Sequence, residues 1–394
     1  MKLRRCAALF VELDEQPRFD LGTILAGGDG LDRSPRWLAH APHLDQPVPV
    51  APEWLAVLGR VSSSAYTDAE TLAGQHGSDT VDALLAAGLL LAEDEAEATR
   101  RQRDEAARDV PWWGPALLAQ SAGGWEGIDI QARYEAGMMP NSEQLVELNG
   151  PAPEHTYRRR AAGAELALPR PSGSGFDPLL RARRTCRNFD ASAVLSAGDL
   201  STMLYRVWGA QGTKQLAPGA VAVKKHVPAG GGLHAVEAYL LVQRVEGLAP
   251  GFYHYLPHQH ALDPLRALSA ESAGELLYGF VGGQQWFRDV PAIVIMTARF
   301  DRLFWKYRRH AKAWRVVHLD VGHLSQTMYL SAADLGLGAF VTAAINDRDI
   351  ERELDLAPLR EAAIAIVGFG PRSPERVNVE LDDFEPNALT RSLL

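Results

Sequence analysis

The sequence predicts an α+β fold, with a small mixed module ahead of a larger domain. Helices and strands alternate from residue 176 onward, but without the even spacing of a doubly wound parallel sheet. Two apolar runs, AVEAYLLVQRV and PAIVIMTA, read as strands, the second a buried one bounded by Pro291. RVVHLDVGHLSQTMYLSAADLG reads as a long helix, because Val317, Val321, Leu324 and Met328 share one stripe and Gly336 and Gly338 follow it. Composition agrees: 46% of the 394 residues are hydrophobic and 23% charged, enough for a core without staples.

Three stretches follow in order. Residues 1–92 open with a strand-like CAALFVEL and then place Trp54, Leu55 and Leu58 at helical spacing. Val81, Leu84, Leu85 and Leu89 repeat that spacing; Thr67 with Glu70 fits a capping box, and Gly88 closes the last helix. Three short helices and a closing LLL read as a winged-helix-like module. Nothing basic lines it, which disfavours DNA binding. Residues 93–175 begin with the mixed-charge run EDEAEATRRQRDEAARD, expected as a solvated helix. They continue with Trp112, Trp113 and Trp125 among prolines and glycines, up to the linker PRPSGSGFDP. Residues 176–394 form the second domain. Ser196 with Asp199 caps a helix carrying Leu200, Met203, Leu204 and Val207, and AAIAIVGFG is a final strand ending at Gly370 and Pro371.

Charge and cysteine usage exclude several classes. A net charge of −9 argues against a nucleic-acid binder. Cys6 and Cys186 supply neither a disulfide framework nor a zinc ribbon. The start, MKLRRCAALFVELDE, is interrupted by Glu12 and Asp14 and lacks the apolar core of a signal peptide. No apolar stretch approaches the roughly 20 residues needed to cross a bilayer, so a cytoplasmic address with no membrane partner is expected. His258 with His260, and His318 with His323, have no carboxylate at a usual ligand spacing, so no metal site is expected. No G-x-S-x-G elbow supports a hydrolase.

Three segments can do chemistry. In RARRTCRNF, an extended chain puts Arg183, Thr185 and Arg187 on one side, with Arg184 and Cys186 on the other. Guanidiniums and a hydroxyl that converge make a phosphate grip; the other reading is a solvated basic loop. In KKHVPAGGGLHAVE, three glycines let backbone amides approach a flat ligand; the other reading is a plain tight turn. Between Asp301 and Asp320 lie Arg302, Lys306, Arg308, Arg309, Lys312 and Arg315 with no acid, pointing to an anionic ligand or partner. Lys306, set among other cations, is a candidate general base with Tyr307 beside it. The alternative there is an amphipathic helix that only displays charge.

Taken together, RRTCRNF, LYRVWGAQG, VPAGGGLHAVE, GFYHYLP, FWKYRRHAKAWRVVHLDVGHLSQ, DLGLG and VGFG resemble, in this order, the SagB-type dehydrogenases. These are the azoline-oxidising branch of the nitroreductase-like FMN flavoproteins, and the resemblance covers roughly residues 176–370. It implies a nitroreductase-like α+β domain, a homodimer with FMN at the subunit interface, and oxidation of thiazoline or oxazoline rings in ribosomal peptides. It also implies that Arg183, Arg184, Thr185 and Arg187 serve the FMN phosphate and ribityl chain. Pro228, Ala229, Gly230, Gly231 and Gly232 would lie against the ring, with Gly336 and Gly338 near its other edge. Lys306 and Tyr307 match the catalytic Lys-Tyr pair, and Gly322 with His323 matches a Gly-His on the long helix. Arg372 would add a phosphate contact, although its surroundings match the family poorly. Ala229 stands where the family has serine and Ala235 where proline is common, which bears on substrate more than on cofactor.

A winged-helix-like module on such an enzyme resembles leader-peptide recognition elements, in which a peptide adds a strand to an exposed edge. A structural appendage is the other reading. The expected partners are therefore a peptide substrate, a second copy of the chain and other peptide-modifying enzymes. Two alternatives remain for the whole chain. One is an NAD(P)H-dependent flavin reductase of a nitro group, enone or dehydroamino acid. The other is a non-catalytic peptide-binding scaffold.

Overall fold

The structure is a computed structural model that describes residues 1–94, 98–153, 159, 166, 168–169 and 171–380. In chain order its first elements are β1 (Lys2–Arg5), β2 (Phe10–Asp14), β3 (Arg18–Phe19), α1 (Leu21–Leu25), β4 (Leu31–Asp32), β5 (Arg36–His40), β6 (Val48–Val50), α2 (Pro52–Leu58), β7 (Thr67–Asp68), α3 (Ala69–His76), α4 (Ser78–Ala86) and β8 (Leu90–Ala92). Helices then dominate: α5 (Ala98–Asp109), α6 (Gly114–Ala122), α7 (Ile130–Glu135), α8 (Ser142–Asn149), α9 (Asp177–Ala182) and α10 (Ala197–Trp208). Next come β9 (Ala210–Ala217), β10 (Ala220–Lys225), β11 (Val236–Val242), β12 (Gly251–Leu256), β13 (Ala261–Ala267) and α11 (Ala270–Phe280). The chain closes with β14 (Ala292–Arg299), α12 (Phe300–Lys306), α13 (Ala313–Asp334), β15 (Gly338–Thr342), α14 (Asp347–Glu353) and β16 (Glu361–Gly370).

Two compact units divide these elements. The first combines Met1–Gly124 with Ala298–Val317 and Glu351–Ala362; the second holds Trp125–Thr297, His318–Ile350 and Ala363–Leu394. Both are assembled from separated segments, whereas contiguous pieces bounded at 92 and 175 were expected from the sequence.

The second unit is built on a six-stranded sheet of order β13-β12-β11-β14-β16-β15. Alternation along the strands decides what each face touches. Val236, Ala238, Leu240 and Val242 of β11, Ala292, Val294 and Met296 of β14, and Ala365, Val367 and Phe369 of β16 share one cluster. Leu200, Met203, Leu204 and Val207 of α10 cover that face together with Val321, Leu324 and Met328 of α13. Ser196 starts α10 as expected, its hydroxyl accepting from the Asp199 amide at 3.0 Å. Phe287 stacks on Phe340 of β15 with centroids 3.7 Å apart, while Ala339 belongs to the first cluster, so both faces are packed. The expected α+β class holds, and the strands at β11, β14 and β16 and the helices at α10 and α13 fall where the sequence put them.

In the first unit, α2, α3 and α4 pack on the antiparallel sheet β7-β1-β8 through Leu3, Leu72, Leu84 and Leu90. Gly88, at φ 72°, closes α4 in the left-handed conformation that glycine favours. Three details differ from expectation. CAALFVEL is not one strand: β1 ends at Arg5, and the Cys6 amide donates to Leu89 O (3.1 Å), after which β2 begins at Phe10. The capping box is absent, because Thr67 is spent pairing β7 with β1 and Asp68 takes the N-cap without a side-chain bond. The charged run is not solvated on all sides. Asp104 of α5 is 1% exposed, accepts from Arg4 Nη1 at 2.6 Å, and anchors the helix by a buried ion pair. Glu95, Ala96 and Glu97 of that run, and Arg170 of the expected linker, lie outside the described residues. Between Trp112 and Gly150, read as proline- and glycine-rich, three helices form.

Candidate functional site

After α9 the chain turns extended at Arg183 (φ −62°, ψ 121°), and two of the candidate side chains meet on α13. Thr185 Oγ1 lies 3.0 Å from Tyr329 Oη, and the Arg183 guanidinium sits 5.4 Å from the Tyr329 ring centroid. Arg183 and Thr185 therefore converge on one side chain of α13, while Cys186 is buried on the other side. Tyr329 Oη also accepts from the Val341 amide at 3.1 Å. Nothing in the sequence singled out Tyr329 beyond its place on the long helix.

A second strap holds Arg187 and Arg372. Cys186 N donates to Ala339 O at 2.8 Å, and a Cβ on Gly338 would meet Cys186 Sγ at 2.5 Å and Arg372 Cγ at 2.9 Å. Gly338 is thus glycine because the chain closes up here on the arginine segment. Gly336, at φ 71°, faces open space and is set by conformation instead. Arg372 bridges to Phe189 and pairs with Glu380 at 2.7 Å. The Glu380 carboxylate also accepts from the Arg187 and Asn188 amides at 2.7 and 3.1 Å and from Asn188 Nδ2 at 3.0 Å. Burial pushes its pKa up, but the Arg187 amide, Asn188 and Arg372 together outweigh this and hold it below the ordinary value. Arg187 further donates to Val379 O at 3.4 Å, and Arg184 is half-buried.

Pro228–Gly232 forms the turn read from the sequence. Gly230–Gly232 makes one 3-10 turn ahead of β11, with Gly231 at φ 63° and Gly232 at φ 70°. A Cβ on Gly232 would meet nothing within 4 Å, so one side of the turn presents bare backbone. His234 follows at φ 47°, a conformation that L side chains rarely adopt. Beneath the turn, Asp320 of α13 is 4% exposed and accepts from the Gly230 amide at 2.9 Å. Burial raises the Asp320 pKa, offset in part by the Gly230 amide and His323. Asp320 was passed over in the sequence because a single carboxylate on an apolar stripe carries no pattern.

Lys306 and Tyr307 belong to the first unit, at the end of α12, whereas the other candidate residues belong to the second. Lys306 is exposed and its Nζ lies 5.5 Å from the Tyr307 ring centroid. Packing fixes the helix that carries them. Trp112 is 5% exposed and meets Phe300, Phe304 and Trp314 at centroid distances of 4.4, 4.8 and 5.8 Å, and its Nε1 donates to Leu359 O at 2.9 Å.

The candidate residues of the second unit fit FMN. A phosphate calls for a cation and a hydroxyl, which Arg183 and Thr185 bring together; a flat ring calls for backbone without side chains, which Gly232 provides. Residues 180–371 match the nitroreductase family. The chain is 29% identical over 192 residues to a protein of Methanocaldococcus jannaschii named as a nitroreductase, covering 49% of this chain and 90% of that one. It is 30% identical to the trifolitoxin-processing protein of Rhizobium leguminosarum bv. trifolii, over 36% of this chain and 38% of that one. It is 26% identical to the microcin B17-processing protein of Escherichia coli, over 39% and 56% respectively. The chain thus spans about half or less of the length of these two processing proteins. Among solved structures, the E. coli microcin synthetase complex with truncated pro-peptide bound gives a TM-score of 0.48 at 21% identity, covering 64% of this chain and 89% of that one.

Proposed function

We propose that this chain, whose residues 180–371 form a nitroreductase domain, is an FMN-dependent dehydrogenase that oxidises azoline-type rings in a ribosomally made peptide. The observation that carries the reading is the convergence of Arg183 and Thr185 on Tyr329, in the same unit as a glycine turn with bare backbone on one side. Two relatives named as peptide-processing proteins support the choice of substrate class.

In this reading Arg183, Thr185 and Arg187, with Arg184 and Arg372 nearby in sequence or space, hold the FMN phosphate end. The Pro228–Gly232 backbone faces the ring. When bound, FMN supplies the hydride acceptor. Lys306 takes the acidic proton at Cα of the azoline, next to the carbonyl, and Tyr307 orients the substrate. The substrate loses that proton and a hydride from Cβ, two electrons in all, and becomes aromatic; dioxygen is the terminal oxidant. The exposed stripe of Leu319, Gly322, His323 and Gln326 on α13 offers a face for a homodimer. Leader-peptide recognition by the module at 1–92, partnership with other peptide-modifying enzymes and a cytoplasmic address belong to the same proposal. Among the described residues no helix is long and apolar enough to cross a membrane.

Lys306→Ala is the direct test of the base. Ring oxidation is expected to be lost while FMN stays bound, and full turnover would overturn the assignment. The archaeal relative named as a nitroreductase supports a second reading, an NAD(P)H-dependent reductase. Rapid NAD(P)H oxidation without any peptide would favour it.

A further inference from the structure

We propose that Asp320 is the positioning residue of the glycine turn: its buried carboxylate ties down the Gly230 amide and leaves the Gly231 and Gly232 backbone presented to the flavin ring. The proposal rests on the FMN reading above and deepens it.

Asp320 lines a small cavity together with Lys225, Val227, Pro228, Ala229 and His234. Its carboxylate is 2.9 Å from the Gly230 amide, the hydrogen bond that joins α13 to the turn. The turn needs such a tether. Gly231, Gly232 and His234 all sit at positive φ, and a non-glycine residue held there stores strain unless its surroundings enforce it. Val227, Leu233 and Ala235 are buried at the two ends, the Gly232 amide closes the turn onto Ala229 O at 2.9 Å, and the Gly230 amide is held by Asp320.

A carboxylate is a costly choice for this task. Desolvating it raises its pKa, so its charged form carries a penalty in the fold at neutral pH. Asparagine would accept the same amide bond with no charge to bury. The negative charge therefore does something that stability alone does not require: it makes the N–H···O bond charge-assisted, roughly twice as strong as a neutral one. Lys225, His234 and His323 are the titratable groups that face Asp320, from β10, the turn and α13.

The test uses the full chain and three proteins: wild type, Asp320→Asn and Asp320→Ala. Amide hydrogen exchange of residues 228–235 is measured without added flavin, FMN affinity by quenching of flavin fluorescence, and Tm by circular dichroism. The alanine variant is expected to exchange faster in the turn and to bind FMN more weakly, each by about tenfold or more, the low end for a hydrogen bond to a charged group. The asparagine variant is expected to match or exceed the wild-type Tm, yet to exchange faster and bind FMN several-fold more weakly. A plain core role predicts the opposite split, with lower Tm and unchanged FMN affinity in both, and that result overturns the proposal. If the alanine variant fails to fold, asparagine decides: wild-type exchange and affinity overturn it. If wild type binds no FMN, the FMN reading fails, and the exchange data alone then decide whether Asp320 holds the turn.

Discussion

Replacing Glu380 by alanine removes a carboxylate whose side chain is 1% exposed and which satisfies two backbone amides, Asn188 Nδ2 and Arg372. Breaking one partner out of a buried ion pair costs about 3–5 kcal/mol. Arg372 is 25% exposed, so water can take over part of its solvation, and the lower end, about 3 kcal/mol, is expected here. For a unit of this size that lowers Tm by roughly 6–12 °C. Glu380→Gln keeps one acceptor but turns an amide group toward Arg372, so it falls between alanine and wild type. The pH dependence has a fixed sign. The Glu380 pKa is lowered from its ordinary 4.5 in the folded chain, so its contribution is complete above that value and is lost as pH falls through the folded pKa. Thermal and urea denaturation of wild type and both variants between pH 3 and 8, a window about the ordinary carboxylate range, is the assay. A difference between wild type and alanine below about 0.5 kcal/mol at pH 7, the size of an ordinary surface substitution, would refute the reasoning.

Trp112→Ala is expected to destabilise the first unit by about 3–5 kcal/mol, since it empties the ring cluster with Phe300, Phe304 and Trp314. Trp112→Phe should cost about 1–3 kcal/mol, mainly through the orphaned Leu359 carbonyl, and urea unfolding followed by fluorescence reads both. Arg183→Ala should weaken FMN about tenfold, the scale of one charge-assisted bond, while riboflavin affinity changes little because it lacks the phosphate. Equal weakening of both ligands, measured by fluorescence quenching, would place Arg183 away from the phosphate.

Much of the second unit was legible because its segments have a single period. The β14 run is apolar from Ala292 to Met296, as expected of a strand buried on both faces, and the α10 stripe repeats at helical spacing behind a Ser-Asp cap. The first unit was harder. β3, β4 and β7 are two residues long, below any periodic pattern, and Thr67 could serve a cap or a strand until the pairing with β1 decided it. Asp104 looked like one more charge on a solvated helix, because its partner Arg4 is a hundred residues away in sequence. The site shows the same division. The arginine segment and the glycine turn could be read locally from alternation and glycine content. Tyr329, Asp320 and Glu380 reach them from distant elements, and nothing local marks those three.

We propose that this chain, carrying FMN, removes two hydrogens from an azoline in a peptide. The most direct measurement is mass spectrometry of an azoline-containing peptide incubated aerobically with the FMN-loaded protein, in parallel with Lys306→Ala. Wild type should remove the mass of two hydrogens per ring without NAD(P)H, and Lys306→Ala should leave the peptide unchanged with FMN still bound. An unchanged peptide with the FMN-loaded wild type, alongside rapid NAD(P)H oxidation, would contradict the claim.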